Sequence, residues 1–361
     1  MDEGLKKILL VTFSDNADHQ EVMYSLFEEL LGVYNVWAMG IKEPKVPHVL
    51  NDKIKYVNAP RRPGITKGTF NLAEIFRILR FIRKEKFDAI YFETLHTWNI
   101  PIWMFHKKKT RIIQAMHDVE PHEGDSTVKA VEVMNKVAVK LADIILLRNT
   151  GFVSLLKQKY GAKSEKIVAL DPWRRFPQYD PETHSHRALF FGRINEYKGV
   201  EYIPKIVELC PEVQFDIVGR IDKTVEGIVE DIKEKQNVNL VTEYVTDEQM
   251  RYYFHQCDFV ILPYKSASQS GVVLDADKFG RPPIAFATGA IANQIENGKN
   301  GVLVPAGDVE KFADEVKIMA TLSDEKMEVF SENVYKYAYE RYSSVKCAEK
   351  FTKIINEVLL K

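Results

Sequence analysis

The chain is poor in cysteine: Cys210, Cys257 and Cys347 are odd in number and far apart. That excludes a disulfide framework and a Cys-x-x-Cys metal site, and leaves each as a small apolar residue for an interior. Also missing is any apolar run near the roughly 18 to 20 residues that span a bilayer. Asp2 and Glu3 precede the first short apolar run, Ile8 to Phe13, so no secretory signal is read and a cytoplasmic protein is expected. No short repeat or low-complexity tract interrupts the 361 residues, a length comfortable for two domains. Net charge is nearly absent, with 50 Lys and Arg against 51 Asp and Glu. No basic stripe with interleaved aromatics and no zinc-finger spacing is present, so nucleic acid is not expected as a partner. The balance is uneven along the chain: residues 1–180 hold 28 basic against 22 acidic side chains, and residues 181–361 hold 22 against 29. The first half is therefore the one suited to an anionic partner.

What the chain does contain is alternation. In the first half, apolar runs at Ile8 to Phe13, Tyr34 to Met39, Ala89 to Phe92, Arg111 to Met116 and Asp143 to Leu147 alternate with amphipathic segments 19–31, 71–85 and 127–141. The second half repeats this, with runs at 188–191, 214–218, 238–241, 259–262, 283–286 and 301–304, then becomes helical after Asp308. Such βα succession predicts an α/β protein with parallel, doubly wound sheets, whose ligands sit at the carboxyl ends of the strands. Residues 171–186 carry three prolines and almost no aliphatic residue, which reads as an exposed connector. The predicted division is 1–175, 187–342 and a last helix, 343–361.

Two stretches carry the chemistry. Phe190-Phe191-Gly192-Arg193-Ile194-Asn195-Glu196-Tyr197-Lys198-Gly199 sets two fixed cations and two glycines after an apolar run, and Ser268-Gln269-Ser270-Gly271 opens a helix after another. Glycine admits close backbone approach, a helix start concentrates positive partial charge, and Arg and Lys neutralise phosphate oxygens. Gly192, Arg193, Lys198, Ser270 and Gly271 thus describe a diphosphate clamp. Taken singly, each stretch is an ordinary turn or N-cap.

With the turns at Gly280-Arg281-Pro282-Pro283 and Thr288-Gly289-Ala290, and the loop Glu296 to Val304, the succession resembles the nucleotide-binding half of the retaining GT-B glycosyltransferases. More narrowly it resembles glycosyltransferase family 4 (glycosyl transferases group 1), whose members build glycans from UDP- or GDP-sugars. The resemblance covers residues 187–305 well, and the first half only through its architecture and a His-Asp loop. It implies two Rossmann-like domains facing a cleft, with the C-terminal helix crossing back to the first domain. It also implies a nucleotide-sugar donor, retention of anomeric configuration and no metal cofactor. Asp275 falls where relatives place a carboxylate for the ribose, while their other carboxylate is replaced here by Ala267, leaving Gln269 as the candidate for the donor sugar. Arg220, Tyr244 and Val245 fall where the base is held, although Tyr244 serves equally well as a packing residue. Asp275-Ala276-Asp277 also spells Asp-x-Asp, but residues two apart on a helix point to different sides, which argues against chelation.

In the first half, His117-Asp118 resembles the family's motif facing the donor sugar, which makes both residues the catalytic candidates; the alternative for His117 is a histidine satisfied within its loop. His96, His122 and Asp18 are the acceptor-side candidates, with Glu120, Asp15 and Asn16 nearby. Three histidines without His-x-x-x-His spacing do not make a metal site. Relatives carry a Gly-rich turn after the first strand, and this chain has none. Phe70 to Lys86 is basic and amphipathic, and Trp98, Ile100, Trp103 and Phe105 run into Lys107-Lys108-Lys109. These segments fit either an ordinary surface or peripheral contact with an anionic membrane, in which case the acceptor is lipid-linked. The reading is a transferase moving a sugar from a UDP- or GDP-sugar to a glycan or lipid-linked acceptor in polysaccharide biosynthesis. A sugar-nucleotide epimerase of the same architecture and a silent donor-binding subunit are its rivals.

Overall fold

The computed structural model describes residues 4–60, 67–106, 110–117, 119, 128–180, 185–267, 270–289 and 291–360. The chain divides into two compact units, Met1–Arg175 with Ser344–Lys361, and Phe176–Ser343.

The first unit holds a seven-stranded parallel sheet. Its strands are β1 (Lys7–Val11), β2 (Asn35–Ile41), β3 (Ile54–Val57), β4 (Ala89–Phe92), β5 (Arg111–Met116), β6 (Ile144–Leu147) and β7 (Ile167–Ala169), in the order β3-β2-β1-β4-β5-β6-β7. The period of two is visible in β1. Ile8 and Leu10 join a core with the helices Ala17–Glu29 and Ser344–Leu360, while Leu9 and Val11 join the opposite core with Ile78, Ile82 and Trp103. Strands covered on both faces need no polar side, which is why β4 and β6 are buried at every position.

The second unit holds six parallel strands, β8 (Arg187–Phe191), β9 (Gln214–Val218), β10 (Val238–Val241), β11 (Phe259–Leu262), β12 (Pro283–Phe286) and β13 (Val302–Val304), in the order β10-β9-β8-β11-β12-β13. Both sheets reverse direction of growth beside their first strand, between β1 and β4 and between β8 and β11. Each reversal opens a crevice at the carboxyl edge where a ligand can sit. The expected pair of doubly wound α/β sheets is present.

Several expectations need correction. The stretch after Leu170 is not an exposed connector throughout. Trp173 is fully buried and donates from Nε1 to Val22 O at 3.0 Å and to Ser25 Oγ at 3.1 Å, and Arg174 is buried beside it. Proline-rich composition signalled irregular backbone, and irregular backbone can still be packed. Trp98 and Trp103 likewise lie in the core rather than on a membrane-facing surface, leaving Met104 and Phe105 exposed. The first full helix after β8 begins only at Ile203, because Gly199 holds φ +70° and two 3-10 turns, Glu196–Lys198 and Val200–Tyr202, precede it.

Candidate functional site

In the second unit the donor candidates gather at the crevice between β8 and β11. Gly192 follows β8 with φ +100°, and a Cβ there would lie 2.6 Å from Lys198 Nζ and 3.7 Å from Val272 Cγ2. One bare backbone position thus touches both the ammonium and the start of helix Gly271–Lys278. Lys198 closes its 3-10 turn under the Asn195 cap, and its Nζ donates to Phe191 O at 3.2 Å and stands 5.1 Å over the Tyr264 ring. It is buried, and among the described residues no carboxylate comes within ion-pair distance of it. Burial pushes the ammonium down to about 8; Arg193 adds to this, while Tyr197 and Asp275 oppose it. A desolvated cation held by a carbonyl and a ring face has spare capacity for an anion.

Ser270 caps the helix, its Oγ accepting from Val273 N at 3.4 Å. Its own backbone is locked by Gln294, which accepts from Ser270 N at 2.8 Å and donates to Ser270 O at 3.0 Å. The cap satisfies one donor of the first turn and leaves the earlier N–H groups for a ligand. Arg193 is exposed. Gln269 and Ser268 lie outside the described residues.

Gly199 holds the clamp together, since a Cβ at this position would fall 1.8 Å from Pro263 O. Gly199→Ala is expected to force the 195–198 turn off the loop after β11. The positive φ alone costs an Ala about 1 to 2 kcal/mol. Thermal melting should fall, and nucleotide affinity by titration should weaken about tenfold or more. An unchanged affinity would mean that the two loops need not touch.

The ribose candidate, Asp275, is already paired with Lys278 Nζ at 2.8 Å, so it reaches a hydroxyl with its remaining lone pairs. Asp277 is fully buried on another side, where Asn300 Nδ2 donates to it at 3.2 Å, and burial raises its carboxyl well above the usual range. The two carboxylates of Asp-x-Asp do not converge. Of the base candidates, Arg220 is exposed and its carbonyl accepts from Ile194 N at 2.9 Å, tying the loop after β9 to the Arg193 loop. Tyr244 is 84% exposed, which removes the packing alternative, and Val245 is half-buried beside it.

In the first unit, His117 follows β5, and its surroundings come from four elements. Nε2 lies 2.9 Å from the Glu93 carbonyl and 2.9 Å from Glu93 Oε1. His19, on helix Ala17–Glu29, places Nδ1 3.8 Å from the same Oε1, and the two imidazoles meet edge to face at 4.5 Å. The other carboxylate oxygen of Glu93 accepts from the Tyr91 hydroxyl and from Arg148 Nη2 at 2.5 Å. Arg148 is buried with its guanidinium 4.2 Å over the Trp173 ring. Burial favours a neutral Glu93, but Arg148, helped by His117, outweighs it and holds the carboxyl well below the usual range. Burial and His19 push the His117 imidazole below its ordinary value, while Glu93 pulls it up.

The remaining acceptor-side candidates are not gathered here. His96 uses both ring nitrogens locally, Nε2 with Pro60 O at 3.2 Å and Nδ1 with Trp98 N at 3.1 Å, and burial pushes it down to about 4. It stays neutral, with both ring nitrogens engaged by its own loop and the 60 loop. Asp18 is exposed and paired with Arg174 Nη2 at 2.8 Å. Asn16 caps the helix after β1 by accepting from Asp18 N at 2.8 Å, filling with a side chain the turn where relatives carry glycine. Asp118 and His122 lie outside the described residues. Sequence reading missed His19, Glu93 and Arg148. Their signal was position alone, since Glu93 and Arg148 each follow a strand directly.

Residues 185–321 match the family model of glycosyl transferases group 1. The chain is 22% identical over 262 residues to an uncharacterized 41.2 kDa protein in the cps region of Klebsiella pneumoniae, across 66% of this chain and 70% of that one. It is 24% identical over 325 residues to a D-inositol 3-phosphate glycosyltransferase of Pseudarthrobacter chlorophenolicus, across 77% of this chain and 74% of that one. In fold it is similar to Anabaena HepE, whose crystal structure is of the complex with UDP, with TM-score 0.73 at 13% identity over 98% of this chain and 100% of that one. The match to the glycosyl transferases group 1 model is therefore confined to residues 185–321, and the chain as a whole has the GT-B fold.

Proposed function

We propose that this protein is a retaining glycosyltransferase that moves a hexose or related sugar from a UDP- or GDP-sugar to a glycan or lipid-linked oligosaccharide, as a step in polysaccharide synthesis. The observation that carries this reading is the buried Lys198 ammonium, which has no carboxylate partner among the described residues and lies beside a capped helix start at the switch point of the group 1 domain. Charge grows on the diphosphate as the sugar leaves, so fixed cations and N–H dipoles there stabilise the transition state more than the ground state. Arg193, Lys198 and the amides after Ser270 take the two phosphates, Asp275 the ribose, and Arg220 with Tyr244 and Val245 the base. His117 with Asp118 takes the sugar side, and Gln269 contacts the sugar. UDP in HepE favours a uridine donor. Incubation with UDP- and GDP-sugars, with and without acceptor, tests it. Nucleotide release that requires acceptor supports transfer, conversion of the sugar without acceptor would identify an epimerase, and saturable binding without turnover a silent subunit.

Because the clamp supplies its own cations, turnover is expected to survive EDTA unchanged, and loss of turnover restored by a divalent ion would overturn the metal-free reading. The acceptor reading extends to a membrane surface. Among the described residues no helix is long and apolar enough to cross a membrane. Helix Leu72–Glu85 instead leaves Leu72 and Phe76 exposed, with Phe70 before it, beside the exposed Arg80, Arg83 and Lys84. Anionic vesicles should retain the protein, neutral vesicles should not, and Leu72→Ser with Phe76→Ser should abolish retention. Equal behaviour on both vesicles would remove the lipid-linked acceptor from the reading.

A further inference from the structure

Two imidazoles and a carboxylate within 4.8 Å of one another first call to mind a cation site. The charges argue otherwise. Glu93 is the sole anion of the cluster, and Arg148 already neutralises it through a 2.5 Å contact inside the fold. A dication placed on Oε1 would face the guanidinium in a medium that screens poorly. What the cluster is built to control is a proton.

We propose that Glu93 is a positioning residue that fixes the tautomer of His117, keeping the proton on Nε2 and leaving Nδ1 as the acceptor for a sugar hydroxyl. The Glu93 carbonyl takes the hydrogen bond of Nε2 at 2.9 Å, and Oε1, which makes no hydrogen bond of its own, stands 2.9 Å away as the facing charge. Both only accept, so this nitrogen carries the proton and a neutral ring has its lone pair on Nδ1. Arg148 and Tyr91 hold the other carboxylate oxygen, which locks the rotamer and weakens the pull of Glu93 for a second proton. The groups facing His117 are therefore Glu93, which favours the imidazolium, and His19 and Arg148, which with burial oppose it. The ring stays neutral at neutral pH and competent to accept a hydrogen bond. This inference rests on reading His117 as the residue that meets the sugar.

The test begins with the unaltered chain. Nitrogen-15 histidine spectra of the full-length protein at neutral pH should show His117 as the Nε2–H tautomer, assigned by its loss in His117→Ala; an Nδ1–H tautomer or an imidazolium overturns the proposal. Glu93→Gln should lower kcat about a hundredfold with little change in donor KM. The variant keeps the carbonyl at 93, and with it the proton on Nε2, but loses the anion that favours the imidazolium, so the acid limb of the kcat profile should move to lower pH. Should that variant fail to fold around an unpaired Arg148, His19→Gln, at a half-exposed position, should move the same limb to higher pH by removing one group that holds His117 down. A limb unmoved in the folded variants overturns the proposal. Full turnover in His117→Ala would refute the sugar role of His117, while the tautomer measurement still reports on Glu93 separately.

Discussion

Replacing Lys198 by Met is expected to lower kcat/KM for the nucleotide-sugar by about two to three orders of magnitude while leaving the fold at least as stable. The first effect is the loss of a charge-assisted bond to the leaving diphosphate at a desolvated position. The second follows from burial. An ammonium held near 8 instead of its ordinary 10.5 carries a folded-state penalty on the order of 3 kcal/mol at neutral pH. Because the folded value lies below the unfolded one, that penalty is full below about pH 8 and fades as pH rises toward 10.5, so stability rises across that window. Methionine removes the penalty and keeps most of the volume. Arg193→Ala, at an exposed position, should fall nearer the tenfold end. The same shift predicts a titration. Bound diphosphate favours charged Lys198, so nucleotide binding just above pH 8 should take up a fraction of a proton, measurable by calorimetry in buffers of different ionisation enthalpy. Donor kcat/KM of the wild type should decline above about pH 8. If Lys198→Met left both the kinetics and the proton uptake intact, the phosphates must be bound elsewhere.

The second large effect is expected at His117. His117→Ala should reduce kcat by about 10² to 10³ while nucleotide affinity, measured by titration of UDP or GDP, changes little, because the imidazole belongs to the first unit and the clamp to the second. Equal losses in kcat and affinity, with a lowered melting temperature, would assign His117 a structural role around the Glu93–Arg148 pair instead.

The doubly wound sheets were legible in the sequence because parallel strands buried on both faces must be continuous apolar runs, and Ala89 to Phe92 and Phe259 to Leu262 read as nothing else. The strands missed, β3 and β7, are the short ones at the edges of their sheet. β3 offers only Ile54 and Val57 as buried positions, and β7 has three residues. Gly192, Lys198 and Ser270 could be nominated from sequence because glycine, lysine and a helix cap in that order carry their chemistry locally. The role of His96 could not be read, since whether a histidine serves a ligand or its own loop depends on partners such as Pro60 and Trp98 that only folding supplies.

Taken alone, the sequence determined the α/β class and the parallel strands and nominated the residue types of the proposed phosphate clamp, because hydrophobic period and glycine placement act over a few residues. Tertiary structure alone decided that Lys198 is buried beside Val272, that Trp173 lies under Arg148, and that Glu93 stands between His19 and His117. Those facts depend on which strand ends the sheet order makes neighbours. Desolvation and charge pairing are properties of that neighbourhood, and they are summed over groups far apart in the chain.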